Sequence, residues 1–224
     1  MIRILAFIAL IWASSAAYLF LDTYNKVSPD DVDCFRGKGY LELIVRALMS
    51  SGKVDPNAPE SITNIFAGGM GGSVYLTPCV QCDDPERQAN DVCELMQNSL
   101  TNRYVFIDVD HIPLWNKDNA KNIDFLTRFE SAIGSCSAGY VPAIITKKGS
   151  WEQIMGKDYS GQSDKWLWYI GLNNEPEPTD FKPFGGWTRA RSKTFTQGVE
   201  ECGLKDMNAD AFVVGLTTAL PVSK

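Results

Sequence analysis

The sequence predicts an α/β protein, an irregular TIM-like (β/α) barrel whose later strands lack regular helices. Three observations carry this. Eight short apolar or alternating runs recur along the chain, segments long enough for a helix separate the first of them, and the helical pattern fades after Val141. With 224 residues, 45% of them apolar and 21% charged, the chain can bury the core of one barrel of about 200 residues.

The candidate strands cover residues 18–22, 42–48, 73–77, 104–110, 141–146, 166–172, 191–196 and 211–214. Three intervening segments have helical spacing. Residues 59–68 set Ser61, Thr63 and Asn64 against Ile62, Ile65 and Phe66, residues 84–99 align Val92, Leu95 and Met96, and residues 119–135 align Ile123, Leu126, Phe129 and Ile133. From residue 173 to 186 Gly, Pro and Asn take over, so loops or short hairpins are expected to join the last strands. No composition shift marks a domain boundary, and no repeat or low-complexity run is present.

The first residues place Arg3 before an apolar run from Ile4 to Trp12 and then the small residues Ala13-Ser14-Ser15-Ala16-Ala17. This is the pattern of a secretory signal peptide over 1–17, cleaved after Ala16 or Ala17 and followed by a single domain over 18–224. The rival is an uncleaved anchor, because apolar character resumes at Tyr18 and brings the run to about 18 residues, near the lower limit for crossing a bilayer. Cleavage would move the formal charge from −6 to −7. An acidic chain without Lys/Arg clusters argues against nucleic acid and anionic membrane surfaces as partners. Six cysteines in a secreted chain favour disulfides, and their spacing alone leaves the pairing open. Cys79-Val80-Gln81-Cys82 lacks a second C-x-x-C and His111 is the sole histidine, so zinc or redox chemistry is not expected.

The segment Tyr104-Val105-Phe106-Ile107-Asp108-Val109-Asp110-His111 carries the clearest chemistry. Residues two apart on a strand face the same side, with Cα atoms about 7 Å apart, and at the C-terminal end of a barrel strand they look into the open mouth. Two carboxylates so placed disfavour joint ionisation, so one can hold a proton while the other stays charged, the combination that glycosidic cleavage uses. Asp22 ends the first candidate strand and Asp206 lies near the last, and first and last strands are neighbours in a closed barrel. Tyr75, Trp115, Trp168, Tyr169 and Trp187 recur beside these acids and offer flat faces suited to sugar rings.

Taken in order, several of these segments resemble the Chalaropsis-type lysozymes of glycoside hydrolase family 25, in particular their cysteine-containing nematode and amoeba branch. The carriers are Gly39-Tyr40 leading into Ile44-Val45-Arg46-Ala47, Val74-Tyr75-Leu76-Thr77-Pro78-Cys79 with Cys82, and Phe106-Ile107-Asp108-Val109-Asp110. Further on come Trp151-Glu152-Gln153-Ile154-Met155-Gly156, Leu167-Trp168-Tyr169 and Asp180-Phe181-Lys182-Pro183-Phe184-Gly185-Gly186-Trp187. The resemblance runs from about Tyr18 to Phe212. It implies cleavage of the β-1,4 bond between N-acetylmuramic acid and N-acetylglucosamine in bacterial peptidoglycan, by a secreted monomer without metal or organic cofactor, in defence or digestion.

The resemblance also implies roles. Asp108 matches the first acid of the family's D-x-E, Asp206 with Asn208 its late acid, and Asp22 its first-strand acid. A gapped register would put Lys26 there, but Asp22 is preferred, because a chain starting near Ala17 then opens directly with its strand. Arg46, Tyr75, Trp115, Trp168 and Tyr169 are the expected substrate contacts. The cysteines read as Cys79 with Cys82, Cys34 with Cys202, and Cys93 with Cys136. The departure is Asp110, where the family has Glu as general acid. One methylene less withdraws the carboxyl by about 1.5 Å, against a required hydrogen-bond reach of about 3 Å.

Overall fold

The computed structural model describes residues 18–82, 84–96, 103–136 and 139–213 and forms them into a closed barrel with strand order β1 to β8. The signal-peptide segment 1–17, Val214 and the end of the second candidate helix at 97–99 lie outside the described residues. In chain order the elements are β1 (Tyr18–Thr23), α1 (Pro29–Gly37), β2 (Glu42–Leu48), α2 (Ala58–Ala67), β3 (Gly71–Leu76) and α3 (Pro85–Met96). They continue with β4 (Tyr104–Asp108), α4 (Asn119–Gly134), β5 (Val141–Thr146), α5 (Lys148–Ile154), β6 (Leu167–Ile170), β7 (Ser192–Glu201) and β8 (Leu204–Phe212). Among the described residues no helix is long and apolar enough to cross a membrane.

Strands β1 to β7 run parallel, whereas β8 is antiparallel to both β7 and β1 and closes the circle. The period-2 alternation sorts side chains into two cores. Phe20, Ile44, Phe106, Ala143, Ile145, Trp166, Trp168 and Phe212 fill the interior, and the intervening Leu21, Val45, Val74, Val105, Ile107 and Ile144 face the helices. Inside, Trp168 meets Phe20 and Phe106 edge-on at 5.0 and 4.9 Å, and its indole donates to the Thr194 hydroxyl at 2.8 Å.

Two helices escape the spacing argument. Helix α1 is short and mostly polar, but Ser28 and Asp31 form a reciprocal capping box at its start and Pro29 occupies its first turn. Helix α5 has only 7 residues, too few for a periodic signature, and buries Ser150, Trp151 and Ile154. The expected loss of regular helices is found after β6, where residues 171–191 wrap the outer wall. Fully buried Lys193 of β7 holds this wrap: its ammonium donates to Asp180 Oδ1 and Asn173 Oδ1, both at 2.7 Å, and to the Glu177 carbonyl at 3.1 Å.

The last strand departs most from expectation. It begins at Leu204 rather than near 211, because β7 and β8 form a hairpin whose two-residue turn is Cys202-Gly203. Both turn residues have positive φ, 53° and 82°, as the twist-matched hairpin turn demands. Its end is tied to α1 by Cys34–Cys202, and to the following turn through Glu201, which accepts from Lys38 Nζ and Tyr40 Oη at 2.6 Å each. Cys79–Cys82 and Cys93–Cys136 are also bonded, so all three pairings match the expectation.

Lys193→Ala would leave the partly buried Asp180 without its cation and the wrap without its anchor. Chemical denaturation should show a loss of about 3 kcal/mol, while truncating exposed Lys182 should change stability by less than about 0.5 kcal/mol.

Candidate active site

The C-terminal ends of the strands surround a cavity of about 360 Å³. Asp22, Asp108, Asp110 and Asp206 all line it, with Arg46, Tyr75 and Trp168. Strand β4 stops at Asp108 rather than Asp110 because the Asp108 carboxylate captures the next polar hydrogen: Oδ1 accepts the Asp110 backbone N–H at 3.0 Å. Asp108 is only 8% exposed. Its Oδ2 lies 3.0 Å from His111 Nδ1 and 3.5 Å from Thr77 Oγ1.

His111 sits just past the strand with 65% of its side chain exposed. The bond to Asp108 and then that residue's charge raise the imidazole pKa, against partial burial, and Asp110 adds to the rise while Lys147 opposes it. Beside an Asp108 carboxylate, Nδ1 is the proton-bearing nitrogen. Nε2 has no hydrogen-bond partner among the described residues. Asp110 is placed differently. Its Oδ2 accepts from Lys147 Nζ at 3.1 Å, and its Oδ1 is buried without a partner.

On the opposite wall β8 pairs with β1 so that Asn208 faces Asp22, and the Asn208 amide donates to both Asp22 oxygens at 3.1 and 3.0 Å. One step deeper, opposite Phe20, lies the fully buried Asp210. Burial, and next the charge of Asp22, raise the Asp210 pKa well above the usual carboxylate range, with Thr194 and Trp168 opposing the rise. Burial likewise raises Asp22, to about 7, against hydrogen bonds from Asn208 and Asp210. The two carboxyls titrate as a pair, and the Asn208 amide favours the charged form of Asp22.

Asp206, the expected late acid, is an exposed rim residue with φ of 54°, at the bend where the hairpin leaves the barrel. Asp210 is the deep acid of this strand, and the sequence reading missed it by starting the strand too late. Lys26 points away to an ion pair with Glu60 at 2.7 Å. Arg46 is fixed by Asp55 at 2.7 Å and lies over the Tyr24 ring at 5.0 Å. Two expected substrate contacts do not reach the cavity. Trp115 is buried in the outer core beside Phe125, and Tyr169 faces outward, donating to Asp180 at 3.2 Å and packing on Phe181. In Tyr169 the period-2 rule turns the side chain away, because Trp168 faces in. Among the described residues no group of three or more His, Cys, Asp or Glu could hold a metal ion.

The fold is that of known glycan hydrolases: a family GH25 lysozyme from Aspergillus fumigatus superimposes with a TM-score of 0.70 at 13% identity, over 90% of this chain and 96% of that one. Residues 13–195 match the family model described as lysozyme-like protein 1. A probable GH family 25 lysozyme 2 of Dictyostelium discoideum is 31% identical over 187 residues, 82% of this chain and 86% of its own length. Lysozyme-like protein 3 of Caenorhabditis elegans is 34% identical over 198 residues, 82% of this chain and 64% of that protein. The chain belongs to the lysozyme-like branch of glycoside hydrolase family 25.

The proton stored by Asp22 and Asp210 sets a pH dependence of stability. Their folded pKa values are raised, so the native state holds protons that the unfolded chain releases above about 3.8, and stability falls as pH climbs toward about 7. Asp210→Asn keeps a donor for Asp22 and removes the deeper of the two titrating acids. Thermal melts should show a shallower decline over that range and a gain of about 1–3 kcal/mol at pH 7.5. The residual slope belongs to Asp22 and Glu130, each of which burial raises to about 7.

Proposed function

We propose that the chain is secreted and cleaves the β-1,4 glycosidic bond of bacterial peptidoglycan as a monomer, in defence or digestion. The observation that carries this reading is the mouth itself, where Asp108 ends β4 facing a cavity that also holds Asp22, Arg46, Tyr75 and the Asp110–His111 turn. Three disulfides suit an oxidising compartment. Asp108 supplies negative charge where positive charge develops on the sugar, and Asp22, held by Asn208, provides an acceptor for an acetamido N–H. Arg46 and Tyr24 form a charged aromatic ledge at the rim against which a sugar face can lie.

A second reading, a glycan-binding protein without turnover, draws on one observation: Asp110, at the position of the family's proton donor, is shorter than Glu and engaged with Lys147. Release of soluble muropeptides from purified peptidoglycan separates the two. The hydrolase reading expects release by the wild-type chain and a loss of about 100-fold or more in Asp108→Asn. Retention of glycan with no product between pH about 4 and 7, where paired carboxylates titrate, would establish the second.

A further inference from the structure

A hydrolase with this mouth needs a proton for the departing sugar oxygen, and Asp110 is poorly placed to give it. The Asp110 side chain is 13% exposed, with one oxygen accepting from Lys147 and the other buried. The neighbouring imidazole is 65% exposed, lines the same cavity and is anchored through Nδ1 to the buried carboxylate of Asp108. Anchoring one ring nitrogen fixes the tautomer and leaves the other as the exchanging site.

We propose that His111, not Asp110, is the general acid, with Asp108 orienting its ring. The proposal rests on the hydrolase reading. In the step, the proton on imidazolium Nε2 passes to the glycosidic oxygen as the C1–O bond breaks, and the bond's electron pair stays with the leaving oxygen. The imidazole is left neutral and the positive charge lies on the sugar. Water then adds to C1 and returns a proton to Nε2, restoring the imidazolium, so the residue serves as acid and then base. Three charged groups face the ring: Asp108 from β4, Asp110 from the turn after it and Lys147 from the end of β5. The two acids hold the proton on the ring and the lysine favours its release.

The chain has one histidine, so its imidazole signal can be followed by NMR without assignment. In the wild type it should titrate above the ordinary value of 6.5, and in Asp108→Asn it should fall back toward that value. Muropeptide release by the wild type should decline on the basic side with the same midpoint. His111→Gln, at an exposed position where folding can be verified by its melting curve, should lower kcat about 100-fold and abolish that basic limb, whereas Asp110→Asn should retain the limb. An unshifted imidazole, or a His111→Gln enzyme with wild-type rate and profile, overturns the assignment while leaving the hydrolase reading intact. Loss of the limb in Asp110→Asn alone transfers the role to Asp110. A wild type that binds glycan without cleaving it at any pH sinks both.

Discussion

The antiparallel pairing of β8 with β1 is the constraint on which the rest depends. It joins residues nearly the full length of the described chain apart and turns an open sheet into a barrel. It also sets Asn208 opposite Asp22 and Asp210 opposite Phe20. A slip of one residue would exchange inward and outward faces, putting Ala209 in place of Asn208 and driving Asp210 among the outer apolar side chains. The register is held at both ends: by stacked Phe20 and Phe212 at 4.4 Å, and by the Cys34–Cys202 bond that fastens the hairpin to α1. Closure therefore defines the shape and the acid wall together.

The two walls of the mouth are built by different means. The β4 wall is local: Asp108, Asp110 and His111 lie within four consecutive residues, and a single carboxylate organises both the turn and the ring. The β1–β8 wall is wholly non-local and sets two buried acids side by side at the expense of stability above the ordinary carboxylate range. The scaffold offsets this with three disulfides and with Lys193, whose charge is used to fasten irregular chain where other segments use a helix.

Elements with many repeats of a simple period were legible. The eight strands, three longer helices and the loss of regular helices among the last strands follow from alternation and apolar spacing, and Asp108 with Asp110 from the same rule. The eighth strand was placed too late because Gly198, Cys202, Gly203 and Asp206, all at positive φ, interrupt its alternation and that of its partner. With the strand went Asp210, although it stands two residues beyond Asn208. In the sequence His111 is only a sole histidine without companion metal ligands. Its pairing with Asp108 depends on how the chain turns after the strand, which period-2 reasoning does not describe. Trp115 and Tyr169 show the converse limit, since aromatic type alone does not tell which wall a ring faces.

Below the acids the barrel is solid. Among the described residues Phe20, Phe106, Trp166, Trp168 and Phe212 interlock across its bore and fill it. A polymer therefore cannot thread through this protein but must lie across one opening, with both fragments departing by the side from which the strand arrived. Such a vessel can engage a continuous network at interior positions without first finding a chain end. It also gives displaced water a single exit, so whatever covers the opening decides how dry the chemistry becomes.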